Sequence, residues 1–202
     1  MITSSPVEPF PEVQRDLAEA FEYHRALDRA FEQATRAVGG IEQRDYSVGG
    51  FCIRLRFAGT ALVPRMTPAL AHLEVPAVES PDLVIQLWDG ASTGVMTPQP
   101  PWRDDPYAYG SHGEVRGYDS DRIRIVFNMF FDALSLLNLE HNRAVFWVRD
   151  GDQIPFWETA APLRILLHWW LGSRGLHYTH GAVVGIPAAG ALLVGKGGSG
   201  KS

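Results

Sequence analysis

Residues 51–57 read Phe-Cys-Ile-Arg-Leu-Arg-Phe, and the pattern of this stretch decides the fold class. Large apolar side chains alternate with small or charged ones at a period of two residues, which predicts a half-buried β-strand. Short apolar runs bounded by Pro or Gly predict further strands at residues 61–63, 73–75, 83–88, 123–127 and 144–148. Residues 128–139 are ambiguous between strand and helix.

Helical patterns lie on both sides of these strands. Residues 10–38 carry apolar side chains at three- and four-residue spacing, and Gly39-Gly40 follows as a stop signal. A second helix is expected from Thr159 to Leu171, with Pro162 in its first turn. The sequence therefore predicts an α+β fold with an N-terminal helix and an antiparallel-rich β domain.

Residues 89–121 contain five Gly and four Pro in 33 positions and have little apolar periodicity. A loop of this length is usually a lid, a binding loop or a disordered excursion. Its tail, His112–Tyr118, is a candidate edge strand. Four tryptophans (Trp147, Trp157, Trp169 and Trp170) are expected to crowd one core or packing face.

Composition limits the class of partner and the compartment. The chain has 202 residues, 46% of them hydrophobic, a net charge of −5 and a pI near 5.8, which argues against nucleic acid or an anionic membrane as a partner. The single cysteine, Cys52, permits no internal disulfide and is expected to be an unreactive thiol. No basic-then-apolar leader begins the sequence and no apolar run is long enough to span a bilayer. These features predict a cytoplasmic protein.

The distribution of lysine singles out the end of the sequence. Of 18 basic residues only Lys196 and Lys201 are lysine, and both lie in a glycine-rich run. That run fits G-x-x-x-x-G-K-[ST], the phosphate-binding loop, and it consists of Gly195, Lys196, Gly197, Gly198, Ser199, Gly200, Lys201 and Ser202. Its backbone N–H groups would form an anion nest, Lys201 would reach the β- and γ-phosphates of a nucleotide, and the Ser202 hydroxyl would ligate Mg²⁺.

Two short apolar segments precede this loop. Val183–Ile186 and Ala191–Val194 are predicted strands, and only four residues separate them. A parallel crossover needs a dozen or more residues, so the two strands must be antiparallel neighbours. The expected lead-in to the phosphate loop is therefore a hairpin.

His180-Gly181-Ala182-Val183-Val184, the hairpin and the phosphate loop together resemble the HPr kinase/phosphorylase-like branch of the phosphoenolpyruvate carboxykinase superfamily. The block from Trp157 to Trp170 also looks like the region upstream of that loop in HPr-kinase-like bacterial proteins. The resemblance covers about residues 145–202, and its motif is strongest over 180–202. It implies binding of ATP and Mg²⁺ and phosphoryl transfer to a serine hydroxyl or a small molecule, with His180 near the phosphates.

The family's catalytic and metal-binding aspartates lie downstream of the loop, beyond Ser202. On the resemblance, the chain is the N-terminal part of such a kinase, and we expect this polypeptide to bind nucleotide weakly and to be inactive. The predicted division is a helical arm at 1–40, an α+β domain at 41–175 and the start of a kinase domain at 176–202. The sequence is compatible with an oligomer.

A second hypothesis belongs to a different functional class. Residues 1–175 could form a non-catalytic recognition module that presents a carrier protein or peptide to a kinase domain. Two smaller expectations accompany these hypotheses. Arg54 and Arg56 are expected on the outer face of their strand, where they would protect an edge, and Asp104-Asp105 are expected to be a solvated loop pair.

Overall fold

The computed structural model describes residues 13–179, 181–186 and 189–195. They form an α+β fold with an N-terminal helix, an eight-stranded mixed sheet that is mostly antiparallel, and a separate two-stranded sheet. The predicted fold class is confirmed at this level.

Helix α1 spans Leu17–Ala37 and begins later than the sequence pattern predicts. The Asp16 side chain caps it by accepting a hydrogen bond from the Ala18 backbone N–H at 2.9 Å. Residues 10–12 of the predicted helix lie outside the described ranges. The buried side of α1 packs across the sheet, and its members are Ala20, Tyr23, His24, Leu27, Ala30, Phe31 and Ala34. The helix thus shares a core with the strands, while the predicted domain boundaries stay a prediction.

The large sheet has the order β3-β1-β2-β4-β8-β7-β6-β5. Only the β2–β4 and β4–β8 pairs are parallel. The strand bounds are β1 (Ile41–Val48), β2 (Phe51–Ala58), β3 (Glu74–Val75), β4 (Leu83–Asp89), β5 (Glu114–Asp119), β6 (Ile123–Asn128), β7 (Ala133–Asn138) and β8 (Arg143–Val148). The ambiguous residues 128–139 therefore form a turn and then β7.

The centre of the sheet is covered on both faces. All seven residues of β4 are buried, which is typical of a strand with parallel neighbours and two packed sides. One face carries α1 and a core that includes Trp88 and Trp147. The opposite face carries a core that includes Leu87 and Trp170. The expected single crowd of tryptophans is wrong: the sheet separates Trp147, in the core beneath α1, from Trp169 and Trp170 on the opposite face, and Trp157 is exposed.

Two predicted strands need correction. Residues 61–63 do not form a strand, since helix α2 starts at Val63 and spans Val63–Met66, with Pro64 in its first turn. Proline removes a donor from a strand ladder but is well accommodated at a helix start. Residues 73–75 form a strand only at Glu74–Val75, after a 3₁₀ turn over Pro68–Leu73.

The segment 89–121 is largely packed rather than being a lid. It begins with the short helix α3 (Gly90–Thr93) and ends in β5, which confirms the edge strand expected at its tail. Between them Trp102 is buried, with its ring 5.0 Å from that of Tyr23 and 5.5 Å from that of Tyr118. Composition predicted a loop correctly, but Trp102 fixes this loop to α1.

The predicted helix over residues 159–171 is broken into two. Helix α4 spans Phe156–Ala160 and helix α5 spans Arg164–Gly172. The backbone before proline is disfavoured in the α region, and Ala161, before Pro162, lies outside that region at φ −138° and ψ 67°. Leu163 then takes a left-handed conformation at φ 60° before α5 begins.

The separate sheet is the hairpin that the sequence predicts. Strand β9 spans Gly181–Ile186, β10 spans Ala189–Val194, and the two are antiparallel with Ile186 opposite Ala189. Across the described ranges, no helix is both long and apolar enough to cross a membrane.

Candidate functional site

The β9–β10 hairpin leads directly into the predicted phosphate loop. Val194 ends β10, opposite Gly181, and Gly195, the first residue of the motif, follows directly. The side chains of Val184, Ile186 and Leu192 are all exposed over more than half of their area. The strand pairing agrees with the sequence prediction, and the hairpin presents apolar side chains to its surroundings.

Of the predicted site residues, Gly195 is described and makes a contact. The remaining predicted site residues lie outside the described ranges, and they are His180, Lys196, Gly197, Gly198, Ser199, Gly200, Lys201 and Ser202. Their assignment to ATP and Mg²⁺ therefore stays a prediction. The chemistry of the donor set fits a nucleotide, because it combines backbone N–H groups, an ammonium and a hydroxyl.

A magnesium ion would depend on Ser202 and on the phosphates of the nucleotide. Within residues 13–179, 181–186 and 189–195, no group of three or more His, Cys, Asp or Glu side chains could hold a metal ion. The described ranges therefore add no second candidate metal centre. Mg²⁺ commonly binds through few protein ligands together with substrate phosphates.

A cavity of about 530 Å³ lies between the β6–β7 turn and the α4–α5 segment. Its wall contains the apolar side chains of Phe131, Phe146 and Ile165 and the charged side chains of Glu158 and Arg164. Burial raises the pKa of Glu158, while the Leu163 backbone N–H, which donates to it, opposes that shift. Glu158 thus supports the helix break and also faces the cavity.

Three exposed aromatic residues lie together near this cavity. Phe130, which lines it, is 79% exposed, and its ring lies 5.7 Å from that of Trp157. Phe156 is 77% exposed and packs edge-on against Trp157 at 5.3 Å. We call Phe130, Phe156 and Trp157 the aromatic cluster. Sequence reasoning missed Phe130 and Phe156, although runs of aromatic residues beside turns could have drawn attention to them.

Arg54 is not at the edge of the sheet, so the expectation of edge protection is wrong. Strand β2 lies between β1 and β4, and the Arg54 guanidinium donates to both carboxylate oxygens of Asp45, at 2.8 and 2.7 Å. This contact holds the pKa of Asp45 below its usual range. The pair is structural, and Arg54 also donates to the Val78 carbonyl.

Asp105 and Cys52, which the sequence analysis also considered, have structural roles. Asp105 forms an ion pair with Arg15 and accepts a hydrogen bond from the Tyr107 backbone N–H at 2.8 Å, so it anchors the loop instead of being solvated. Burial raises the pKa of the Cys52 thiol, which agrees with an unreactive cysteine.

Comparisons of this chain with protein-family models, with curated proteins and with solved structures find no match.

Proposed function

We propose that this chain contributes the phosphate-binding loop of an ATP-dependent phosphotransferase that resembles HPr kinase, acting on a serine hydroxyl or a small molecule. The observation that carries the proposal is the antiparallel β9–β10 hairpin, which leads without interruption into Gly195 of the motif. Ras-like and ABC-type nucleotide-binding proteins enter the loop from a central parallel strand. The antiparallel lead-in favours the HPr-kinase-like branch.

The loop residues bind the phosphates and the Mg²⁺ ion. Backbone N–H groups of residues 195–200 cradle the phosphates, Lys201 neutralises their charge, and the Ser202 hydroxyl holds Mg²⁺. His180 lies beside the phosphates. Mg-ATP supplies the phosphoryl group, and the protein contributes positioning and electrostatic stabilisation, which account for most of the rate in such transfers.

The exposure of the hairpin supports the same proposal. Residues 181–194 contain no charged side chain, and a two-stranded hairpin alone is marginal in water. Apolar residues such as Val184, Ile186 and Leu192 are typical of a strand pair that belongs to a larger packed sheet. A kinase-type core supplies such a sheet.

The chain offers a matched pair of lysines for the test. Lys201→Ala removes the ammonium that the motif requires, whereas Lys196→Ala changes a variable position of the same loop. The mass of the native gene product is measured first. That protein is then titrated with ATP in the presence of Mg²⁺, and binding is followed by calorimetry. We expect Lys201→Ala to weaken ATP binding at least about tenfold and Lys196→Ala to change it less than threefold.

Two results would contradict the proposal. One is native product that shows no affinity for Mg-ATP at millimolar concentration. The other is equal loss of affinity in the two lysine variants, which would show that total charge rather than the motif governs binding.

A second function has its own supporting observation, the aromatic cluster beside the 530 Å³ cavity. Exposed aromatic side chains grouped next to a concave surface are typical of protein and peptide recognition. In this alternative, residues 1–175 present a carrier protein or peptide. Binding to a peptide array should survive Lys201→Ala and be lost in Trp157→Ser. Loss in the lysine variant alone would contradict it.

A further inference from the structure

A cavity lined by three arginines lies on the α1 face of the large sheet, where β4 and β8 begin. Its volume is about 530 Å³, and its wall includes Arg54, Arg56, His141 and Arg143. Arg54 of β2 and Arg143 of β8 both have Val84 as their register partner. Because neighbouring strands lie about 4.8 Å apart, the two arginines are roughly 10 Å apart at their Cα atoms. The Arg54 guanidinium is directed toward Asp45 of β1, so the arginines that remain to face a ligand are Arg56 and Arg143.

Two of these arginines have no carboxylate partner at ion-pair distance. Arg54 is held by Asp45, but within the described part of the chain neither Arg56 nor Arg143 has a carboxylate within 4 Å. The Arg56 guanidinium instead lies 5.6 Å from the centre of the Phe31 ring. Burial lowers the pKa of Arg56, and the positive charges of Arg143 and Arg54 lower it further. The cavity wall thus holds like charges together.

Acidic groups also surround the cavity, so its wall is not positively charged overall, but within the described part of the chain none of them forms an ion pair with Arg56 or Arg143. Asp28 and Glu32 of α1 act on Arg56 from more than 4 Å. Asp82 lines the cavity and accepts a hydrogen bond from the Cys52 backbone N–H at 2.7 Å, and the exposed Glu79 lines its outer rim.

A buried histidine beside this cavity carries an unused donor. The Asn138 Oδ1 accepts a hydrogen bond from the His141 backbone N–H at 3.2 Å, so Nδ2 of Asn138 faces Nδ1 of His24 at 3.3 Å. Since Nδ2 can only donate, Nδ1 of the neutral His24 ring accepts and Nε2 carries the proton. Burial lowers the pKa of His24, which keeps the ring neutral although Asp28 lies 3.9 Å away.

The Nε2 atom of His24 is buried and has no hydrogen-bond partner in the described ranges. The side chain is 6% exposed and lines a second cavity, of about 510 Å³. His141 and Arg143 line both cavities, which are therefore neighbours. Arg25, Asp28 and Glu140 also line the second cavity, and Glu140 is engaged by Arg122. Burying an unpaired N–H costs free energy that an acceptor at this point would recover.

From this arrangement we propose that the two neighbouring cavities together bind a small molecule through its oxyanion, a phosphate or carboxylate group. Arg143 and Arg56 form the ion-pairing wall, and the His24 Nε2–H donates a hydrogen bond to the ligand. Arginine suits this task because its planar donors match both anions in a bidentate geometry. The site shares no residue with the phosphate loop, so it stands independently of the proposed function.

Calorimetric titration of the 202-residue chain with sodium phosphate, and separately with sodium acetate, tests the proposal at a constant ionic strength set by chloride. Binding of either anion is expected, and the stronger of the two identifies the ligand's anionic group. Arg143→Gln and Arg56→Gln should each weaken binding at least about tenfold. Arg149→Gln is the matched control, because Arg149 is exposed, follows the far end of β8 and pairs with Asp132; it should change binding less than twofold.

A second measurement separates this site from the phosphate loop and from simple misfolding. Lys201→Ala should keep its phosphate affinity, and the His24 Nε2 resonance of the native protein should shift when the anion is added. Four results would overturn the proposal: no binding of either anion, equal loss in Arg149→Gln, loss in Lys201→Ala only, or a His24 signal that does not respond. Circular dichroism in chloride confirms that the glutamine variants are folded.

Discussion

The large sheet and the β9–β10 hairpin are both built from short apolar strands, yet they bury them very differently. In β4 every residue is buried beneath helices or loops on two faces. In β10 every residue is exposed. The difference shows that apolar pattern alone specifies a strand, while coverage by other elements determines what that strand contributes to stability.

Replacing one leucine in each region gives the largest expected contrast. Leu87→Ala removes a fully buried side chain from the centre of the sheet and should lower the free energy of unfolding by about 2–5 kcal/mol. Leu192→Ala makes the same chemical change in β10, where the side chain is 55% exposed, and should stay within about 0.5 kcal/mol. Urea unfolding followed by tryptophan fluorescence measures both.

Equal destabilisation by the two alanine variants would contradict this comparison, because it would mean that the hairpin is as well covered as the sheet. An unchanged m-value in Leu87→Ala serves as a check that the variant still unfolds in one cooperative step.

Part of the fold could be predicted from the sequence because it follows from local patterns. The alternation in 51–57 and the apolar run in 83–88 specify β2 and β4, and a four-residue connection specifies the hairpin. The parallel β2–β4 pair could not be predicted in this way, since strand order depends on packing between distant segments. The misreading of Arg54 and Arg56 has the same origin, because their outward face becomes an interior face only once α1 covers it.

Two other errors have different causes, one local and one long-range. The rule that residues before proline avoid the α region would have placed the helix break at Ala161, but Pro162 was interpreted as a helix start. The burial of Trp102 depends on Tyr23, a contact between residues 79 positions apart in the sequence. The phosphate-loop motif can be recognised from the sequence alone, whereas the arginine-lined cavity forms only when three strands and a helix come together.

The large sheet and the hairpin also differ in charge, because the sheet contains the buried Asp45–Arg54 ion pair. The sheet accommodates this pair, with Asp45 almost fully buried, whereas residues 181–194 contain no charged side chain. Arg54→Gln leaves the Asp45 carboxylate with the Val78 N–H and should cost about 2 kcal/mol at pH 7. Arg65→Gln, which breaks the exposed pair with Asp152, should cost less than about 0.5 kcal/mol.

Acid should erase the contribution of the Asp45–Arg54 pair. The pKa of Asp45 is lowered in the folded protein, chiefly by the hydrogen bond from Arg54. The unfolded chain therefore takes up the proton first, and the stability that the pair contributes above the ordinary aspartate pKa of about 4 is lost as the pH falls below it. Urea unfolding at pH 7 and pH 3 should show the native protein and Arg54→Gln converging. A gap that persists unchanged at pH 3 would contradict this origin.

The smallest effect on stability, and the most direct test of exposure, comes from placing a charge on the hairpin. Leu192→Lys should leave the unfolding midpoint of the sheet unchanged, because the side chain packs against little. It should nevertheless reduce self-association at high protein concentration, since lysine on an exposed strand discourages pairing between chains. Sedimentation velocity over a concentration series measures this change.

Met129→Lys is the control for added charge, because Met129 is also exposed but lies in a turn of the sheet region. If both lysine variants reduced association equally, net charge would be the cause and the hairpin would have no special role. If only Leu192→Lys reduces association, the exposed face of β10 is the surface through which the chains self-associate. That result would agree with the proposal that a kinase-type core covers this face, since a strand that lacks its neighbours offers the same apolar surface to a second copy.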